Sequence, residues 1–300
     1  MPMKTEEELS LDKSPDETKQ SRERRRELLR KLEDAVGRTV IAFFTSQTYP
    51  VAVDQTDADM LEDVLRQTSL HNGLCLVLDT PGGDGITAER IVRICRVYSD
   101  NKFDVFVARR AKSAGTIIAM GSNKILMGET SALGRIDPQI LMKEKNGTPS
   151  LIPAHVVVTS FDELLNKAKI PEGHVEIYLR QLNDYDAIQI EVIRRQLRMT
   201  EDIAVRCLKQ GMLAHISKKE IKKKIAPFIT PNVTKAHARD IFFDEAQKSG
   251  LKIELVRHNN PIWIIVSEFY ALAWDFVTSK HCKLIESPDC HFSLPWQVAS

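Results

Sequence analysis

The sequence predicts an α/β fold in which a mainly parallel sheet is covered by helices. Short runs rich in Val, Ile, Leu and Phe alternate with segments whose apolar residues recur at helical spacing. The helical segments have about a dozen residues or fewer, which suits crossovers between parallel neighbours. Glycine-rich turns follow two of the strand runs, at residues 81–85 and 112–116.

Composition describes an ordinary globular chain of 300 residues with 43% hydrophobic and 28% charged content. The formal net charge of +1 gives no global attraction to nucleic acid or to an anionic membrane. Five cysteines without a framework spacing favour reduced thiols, and residues 1–34 are too charged for a signal peptide. We therefore expect a cytoplasmic protein.

The first 37 residues predict a tail followed by one helix. Residues 1–20 mix charged residues, Ser and Pro, which is typical of disorder. Residues 21–37 form an amphipathic pattern, with Leu28, Leu29 and Leu32 on one stripe behind a run of arginines at 22, 24, 25 and 26. Neighbouring glutamates favour a solvated helix face over a nucleic-acid arm.

Residues 38–254 predict the main domain. We expect strands at 38–45, 74–78, 104–108 and 124–127, and helices at 57–69, 86–98 and 113–122. Thr56 or Asp57 is the expected N-cap of the first of these helices. Beyond them we expect a polar loop at 141–150, a long helical region at 173–213, a solvated lysine-rich helix at 217–224 and a short helix before Gly250.

Residues 255–300 are expected to form a helical C-terminal extension. Its apolar window at 261–278 contains Glu268 and Asp275, so we interpret it as a buried or interface helix, with membrane contact as the lesser alternative. His281, Cys282, Cys290 and His291 are able to bind zinc, but their spacing does not match a zinc site, and we predict no metal.

The two glycine-rich turns carry the chemistry. A Pro-Gly-Gly turn after a buried strand leaves the N–H groups of Gly82 and Gly83 unshielded, so these donors can stabilise an oxyanion. Ser113 stands at a helix N-terminus, where unsatisfied N–H groups favour negative charge. Taken separately, each feature is more often a plain turn or an N-cap. No Gly-Lys-Ser or Gly-Lys-Thr follows Gly85, which argues against a phosphate-binding loop.

Together the motifs resemble a known family. Asp-Thr-Pro-Gly-Gly-Asp-Gly at 79–85, Lys-Ser-Ala-Gly-Thr at 112–116 and Gly-Arg-Ile-Asp-Pro-Gln at 134–139 are similar to the Clp protease proteolytic subunit and signal peptide peptidase A. Within this Clp-crotonase superfamily the sequence most resembles the serine dehydrogenase proteinase family. The resemblance implies the Clp-crotonase fold and a serine peptidase that cuts polypeptides. It also implies a homo-oligomer and no cofactor.

The resemblance also implies roles for individual residues. Ser113 matches the nucleophile, and the N–H groups of Gly83 and Ala114 match the oxyanion hole, with Gly82, Gly115 and Asp137 in support. For the general base three candidates remain: His237, Lys145 and Lys143. We rank His237 first because a histidine titrates near neutral pH without burial, whereas a lysine must be desolvated.

Two other functions remain open from the sequence. A crotonase-type acyl-coenzyme A enzyme would use the same oxyanion hole without a nucleophilic Ser113. A non-catalytic scaffold would keep the fold without the base, and Ala238 stands where the family tends to place an aspartate after the histidine.

Overall fold

The computed structural model describes residues 19–47, 51–143, 147–170, 175–229, 239–280 and 282–295. The strands are β1 (Thr39–Thr45), β2 (Leu74–Thr80), β3 (Phe103–Ala111), β4 (Ile125–Gly128), β5 (Ala132–Leu133), β6 (Gln139–Lys143), β7 (Pro149–Pro153), β8 (Ile241–Phe242), β9 (Ile253–Val256), β10 (Cys282–Glu286) and β11 (His291–Pro295). The helices are α1 (Lys19–Val36), α2 (Gln55–Gln67), α3 (Gly85–Tyr98), α4 (Ala114–Met120), α5 (Ala154–Ala168), α6 (Val175–Leu182), α7 (Ala187–Gln210), α8 (Lys218–Ile229), α9 (Phe243–Lys248) and α10 (Pro261–Ser279).

A nine-stranded sheet organises the chain. Its main path runs β11-β10-β1-β2-β3-β4-β9, with β5 and β8 attached beside β3. The pairs from β1 through β9 along this path are parallel, whereas β10 and β11 add antiparallel strands at one edge. The predicted α/β fold with a mainly parallel sheet is therefore confirmed.

Helices cover both faces of the sheet because the strand residues alternate between two cores. Ile41 and Phe43 face the core that contains α2, α3, α4 and parts of α7 and α8, and Val40 and Phe44 face the core of α1 and α10. Strand β2 is buried on both faces along its whole length, and β1 in all but its first residue, which is the pattern expected for central parallel strands. The result is a three-layer α/β/α arrangement.

The N-terminal helix differs from the prediction in one important respect. α1 packs its leucine stripe on the sheet as expected, but Arg25 is completely buried rather than solvated. Its Nε donates to Glu286 Oε2 at 2.8 Å, and its guanidinium lies 4.9 Å from the ring centre of Phe276. The expectation of a wholly solvated arginine face was wrong because a long-range partner neutralises this one arginine.

The segment predicted as a polar loop at 141–150 is instead a β-hairpin. Strands β6 and β7 pair antiparallel, with Leu141 opposite Leu151. Ile140, Met142 and Ile152 pack on a small third core built by α5 and α7. The apolar residues between the charged ones therefore have a helical surface to bury against, which the local sequence did not reveal.

Several smaller expectations are also corrected. Asp54, rather than Thr56 or Asp57, caps α2, and the Asp57 side chain closes the capping box. The lysine-rich helix α8 is only partly solvated, because Ile221, Ile225 and Phe228 are buried.

The C-terminal extension is helical only in part. Helix α10 carries the apolar window, and β10 and β11 follow it as a hairpin that extends the central sheet. Among the described residues, α10 is the one helix long and apolar enough to cross a membrane. Its Val266, Phe269 and Val277 are buried against the sheet and α1, as expected for the predicted buried helix. The proposed domain limits stay predictions.

Candidate active site

The Pro-Gly-Gly turn leaves the buried end of β2 and is clamped from two sides. The N–H of Gly82 donates to Thr80 Oγ1 at 3.1 Å. Val53 pairs with the turn as an isolated parallel bridge: its N–H donates to the Gly82 carbonyl at 2.8 Å and its carbonyl accepts from Asp84 N–H at 2.9 Å. The backbone of the turn is therefore held in one conformation.

Two glycines are required in this turn. Gly82 has φ +111°, and Gly83 has φ +154°. A β-carbon at Gly83 would lie 2.3 Å from the Val53 carbonyl oxygen, so no larger residue fits without displacing the clamp. Within the described part of the chain, the Gly83 N–H donates to no backbone carbonyl. It is therefore available as the predicted oxyanion donor.

Ser113 adopts a strained backbone conformation between β3 and α4. Its φ of 48° and ψ of −114° are rare for a residue with a side chain and cost on the order of 1–3 kcal/mol. Its hydroxyl does not cap the helix, so the plain N-cap interpretation is wrong. As the first residue of α4, Ala114 has a backbone N–H with no helical carbonyl to bind, as a donor to an oxyanion requires.

Thr116 and Gly115 hold this strained turn in place. The Thr116 hydroxyl donates to the Ala111 carbonyl at 2.6 Å and accepts from Gly134 N–H at 3.0 Å. A β-carbon at Gly115 would lie 2.5 Å from Thr80 Cγ2, so the small residue lets α4 approach β2 closely. These contacts on both sides of the turn thus fix the position of Ser113.

Both turns open into one cavity of 480 Å³, which we name the Ser113 cleft. Gly82, Gly83 and Ser113 form its floor, together with Ile117 and Ile136. Helix α7 and the β6–β7 hairpin supply its outer wall through Gln139, Leu151, Gln196, Met199, Thr200 and Ile203. The volume is in the usual range for a ligand site.

A buried carboxyl is hydrogen-bonded to a residue of the cleft. Asp79 accepts from Arg110 N–H at 2.8 Å and from the amide of Gln47, a cleft residue, at 2.9 Å. Burial raises the pKa of Asp79 to about 6, although both hydrogen bonds favour the charged form. One hydrogen bond therefore links the cleft residue Gln47 to a buried carboxyl with a raised pKa.

Asp137, predicted as a supporting residue, is bound on both sides. Its Oδ1 lies 3.2 Å from Arg135 Nε, and its Oδ2 lies 2.9 Å from Nδ1 of His155. The Asp137 side chain is fully buried, so it acts as an internal anchor of the cleft wall. His155 carried no signal in the sequence, because it follows Pro153 at a helix start without any motif.

Lys112 connects the nucleophile turn to a distant part of the chain. Its ammonium group forms an ion pair with Asp240, 128 residues later, and also donates to the Leu133 carbonyl at 3.4 Å. This pairing occupies Asp240, the carboxylate nearest in sequence after His237.

The structure describes the side chain of none of the three candidate bases. His237 and Lys145 lie outside the described residues, and for Lys143 only the backbone is described, at the end of β6. Two of the candidate zinc ligands have other surroundings. Cys282 is buried in β10, and Nδ1 of His291 lies 3.3 Å from Glu286 Oε1. His281 is outside the described residues.

Comparison with known proteins decides the family. The family described as ClpP-like SDH-type serine proteinase matches residues 13–262. The chain belongs to this family. Membership confirms the predicted resemblance and the predicted class, serine proteinase, at the level of the family.

Other similarities are more limited. Two uncharacterized proteins of Methanocaldococcus jannaschii, MJ0137 and MJ1495, are 31% and 29% identical to the chain over 84 residues. That match spans 28% of this chain and 29% and 28% of the two relatives, well under a third of their length. A solved structure of a mutant of the 1510-N membrane-bound stomatin-specific protease, in complex with a substrate peptide, is 19% identical. The structural match covers 78% of this chain and 96% of the stomatin-specific protease chain. Its TM-score is 0.29, so it adds nothing to the family assignment.

Proposed function

We propose that the chain is a serine peptidase in which Ser113 attacks the carbonyl carbon of a peptide bond. The Ser113 oxygen bonds to that carbon and its proton passes to a general base. The base gives this proton to the leaving amine as the tetrahedral intermediate breaks down to the acyl-enzyme. The base then takes a proton from water, which hydrolyses the ester, and returns it to the Ser113 oxygen. One observation carries the proposal. Ser113 has a strained backbone, its hydroxyl does not cap α4, and it lies against the glycine turn in the cleft.

The N–H groups of Gly83 and Ala114 are the proposed oxyanion donors. Both belong to rigid turns, so they need no reorganisation as charge develops on the oxygen. Loss of one such donor typically lowers the rate by about a hundredfold or more.

His237 is the proposed base, with Lys145 and Lys143 as alternatives. The anchors on each side of residues 230–238 support it. The Ile229 carbonyl accepts from Arg135 Nη2 at 3.0 Å, next to the cleft wall, and Asp240 pairs with Lys112, the neighbour of Ser113. Lys143 stays an alternative, because its backbone pairs with Pro149, two strand residues or about 7 Å from the cleft residue Leu151.

Casein hydrolysis tests this assignment of the base. We expect Ser113→Ala and His237→Ala to abolish cleavage, and His215→Ala, which changes an exposed histidine, to leave it intact. Cleavage that survives His237→Ala but is lost in Lys145→Ala would transfer the role to the lysine. Because the family is one of proteinases, polypeptides are the proposed substrate. We also propose that the protein is cytoplasmic and forms a homo-oligomer. Sedimentation of the purified protein tests the homo-oligomer.

A further inference from the structure

A second cavity continues the Ser113 cleft along helix α7. This cavity of 460 Å³, which we name the α7 groove, lies between α7 and the β6–β7 hairpin. Its walls are mainly apolar: Leu141 and Met142 on the hairpin side, and Ile188, Val192 and Ile193 on the helix. Ile188, Leu141 and Val192 are 76%, 68% and 49% exposed, although all three are apolar.

The cleft and the groove share a wall. Gln196 lines both cavities. On α7, Gln189, Val192, Ile193 and Gln196 face the groove, and Met199, Thr200 and Ile203 face the cleft. These positions recur three and four residues apart, so one face of the helix borders both. On the hairpin, the paired residues Leu141 and Leu151 line the groove and the cleft respectively.

Gln196 marks the junction with an unsatisfied polar group. Its Oε1 atom is buried and has no hydrogen-bond partner among the residues that the structure describes. A buried acceptor without a donor costs about 1–3 kcal/mol. Rotation of the Gln196 amide towards the cavities brings this atom within reach of a ligand N–H group and removes that cost. The amide group of a glutamine can both accept from and donate to one peptide unit.

We propose that the α7 groove is a distal subsite for the polypeptide substrate. It binds apolar side chains of an extended segment, and Gln196 pairs with the peptide backbone between the subsite and the scissile bond. This inference rests on the proposed peptidase function and adds a substrate class to it. Val192 lies eleven helical residues, or about 16 Å, from Ile203, a distance that about five residues of extended chain span. Since Ile203 lines the Ser113 cleft, the preferred substrate carries apolar residues about five positions from the part of the substrate that lies in the cleft.

Matched peptides test the proposal. Two series of fluorogenic peptides share the residues around the scissile bond and carry an extension on the N-terminal or the C-terminal side, with Leu-Leu or Ser-Ser about five residues away. We expect Leu-Leu to raise kcat/KM over Ser-Ser by about tenfold on one of the two sides. Val192→Lys should bring this Leu-Leu to Ser-Ser ratio close to one. Gln196→Ala should lower kcat/KM for the extended peptides severalfold, whereas Gln210→Ala, at an exposed position of the same helix outside both cavities, should not.

Binding to Ser113→Ala separates the subsite from the chemistry. Fluorescence anisotropy of the labelled extended peptides should show tighter binding of Leu-Leu than Ser-Ser even without turnover. If the wild type cleaves peptides but shows no Leu-Leu preference on either side, the subsite is wrong and the peptidase stands. If Ser113→Ala shows the preference but the wild type cleaves nothing, the subsite stands and the chemistry fails. A third outcome is that Val192→Lys sediments as a smaller assembly and keeps the Leu-Leu preference. This result would assign the groove to a subunit interface and overturn the proposal.

Discussion

A β-carbon placed on Gly82 would lie 2.6 Å from the β-carbon of Ser113. The glycine turn and the nucleophile turn are therefore in direct contact, although they follow different strands. Contact at this distance means that any side chain at position 82 must displace either the oxyanion turn or the serine. The two halves of the proposed site are mechanically coupled.

Gly82→Ala tests this coupling. We expect peptidase activity to fall by about a hundredfold or more, because the oxyanion donor and the nucleophile lose their alignment. Gly37→Ala is the matched control: Gly37 has φ +66° with no atom within 4 Å of an added β-carbon. That variant should cost about 1–2 kcal/mol of stability through backbone strain alone and keep full activity. Equal activity of the two variants would show that the contact has no catalytic meaning.

The Lys112–Asp240 ion pair should position the nucleophile turn relative to the segment that precedes β8. We expect Lys112→Met and Asp240→Asn each to lower kcat/KM by roughly tenfold, and the double variant to lose little more, because both remove the same interaction. Lys124→Met is the control, since Lys124 forms a more exposed ion pair with Glu254 on the β4–β9 side of the sheet. Additive losses in the double variant would contradict a shared role.

Asp79 predicts a defined pH dependence of stability. Its pKa is 3.8 when unfolded and about 6 when folded, so the folded state holds a proton that the unfolded state has lost between these values. The free energy of unfolding therefore decreases as pH rises from about 4 to about 6, by up to about 3 kcal/mol from this group. Buried Asp57, whose pKa is also raised to about 6, acts in the same direction.

Asp79→Asn should remove the contribution of Asp79 and keep both hydrogen bonds, since the amide of Gln47 can rotate to accept. Urea unfolding at pH 4.5 and pH 7 measures the difference, with exposed Asp275→Asn as the control. We expect the stability of Asp79→Asn to fall less between these pH values than that of the wild type. An unchanged pH dependence would mean that Asp79 is ionised in the fold at both values.

Arg25 and Glu286 join the first helix to the edge strand β10, and both side chains are fully buried. Arg25→Met should cost about 3–5 kcal/mol, because it leaves the Glu286 carboxylate buried without its main cationic partner. Arg24→Met is the matched control: Arg24 pairs with Glu268 at the surface, where solvent screens the pair, so its loss should cost far less than the loss of Arg25. Thermal unfolding measures the stability of the two variants. A similar loss of stability in both would show that the buried ion pair contributes no more than the exposed one.

The sequence was most informative where function requires a local conformation. The glycine turn at 82–83 and the turn at Ser113 could be predicted because few residues tolerate such backbones, and their order along the chain is specific. The roles of Arg25 and Gln196 could not, since each depends on a partner or cavity formed by residues far away in the chain. The β6–β7 hairpin was misinterpreted because its apolar residues become meaningful only beside α5 and α7.

The identity of the nucleophile is the central claim, and active-site labelling tests it most directly. Purified protein is treated with a fluorophosphonate, which bonds to an activated serine oxygen and loses fluoride, and the modified residue is located by mass spectrometry. We predict one label per chain, on Ser113, absent from Ser113→Ala and reduced in Gly82→Ala. An unlabelled wild-type protein at every pH tested, or a label on another serine, would contradict the account.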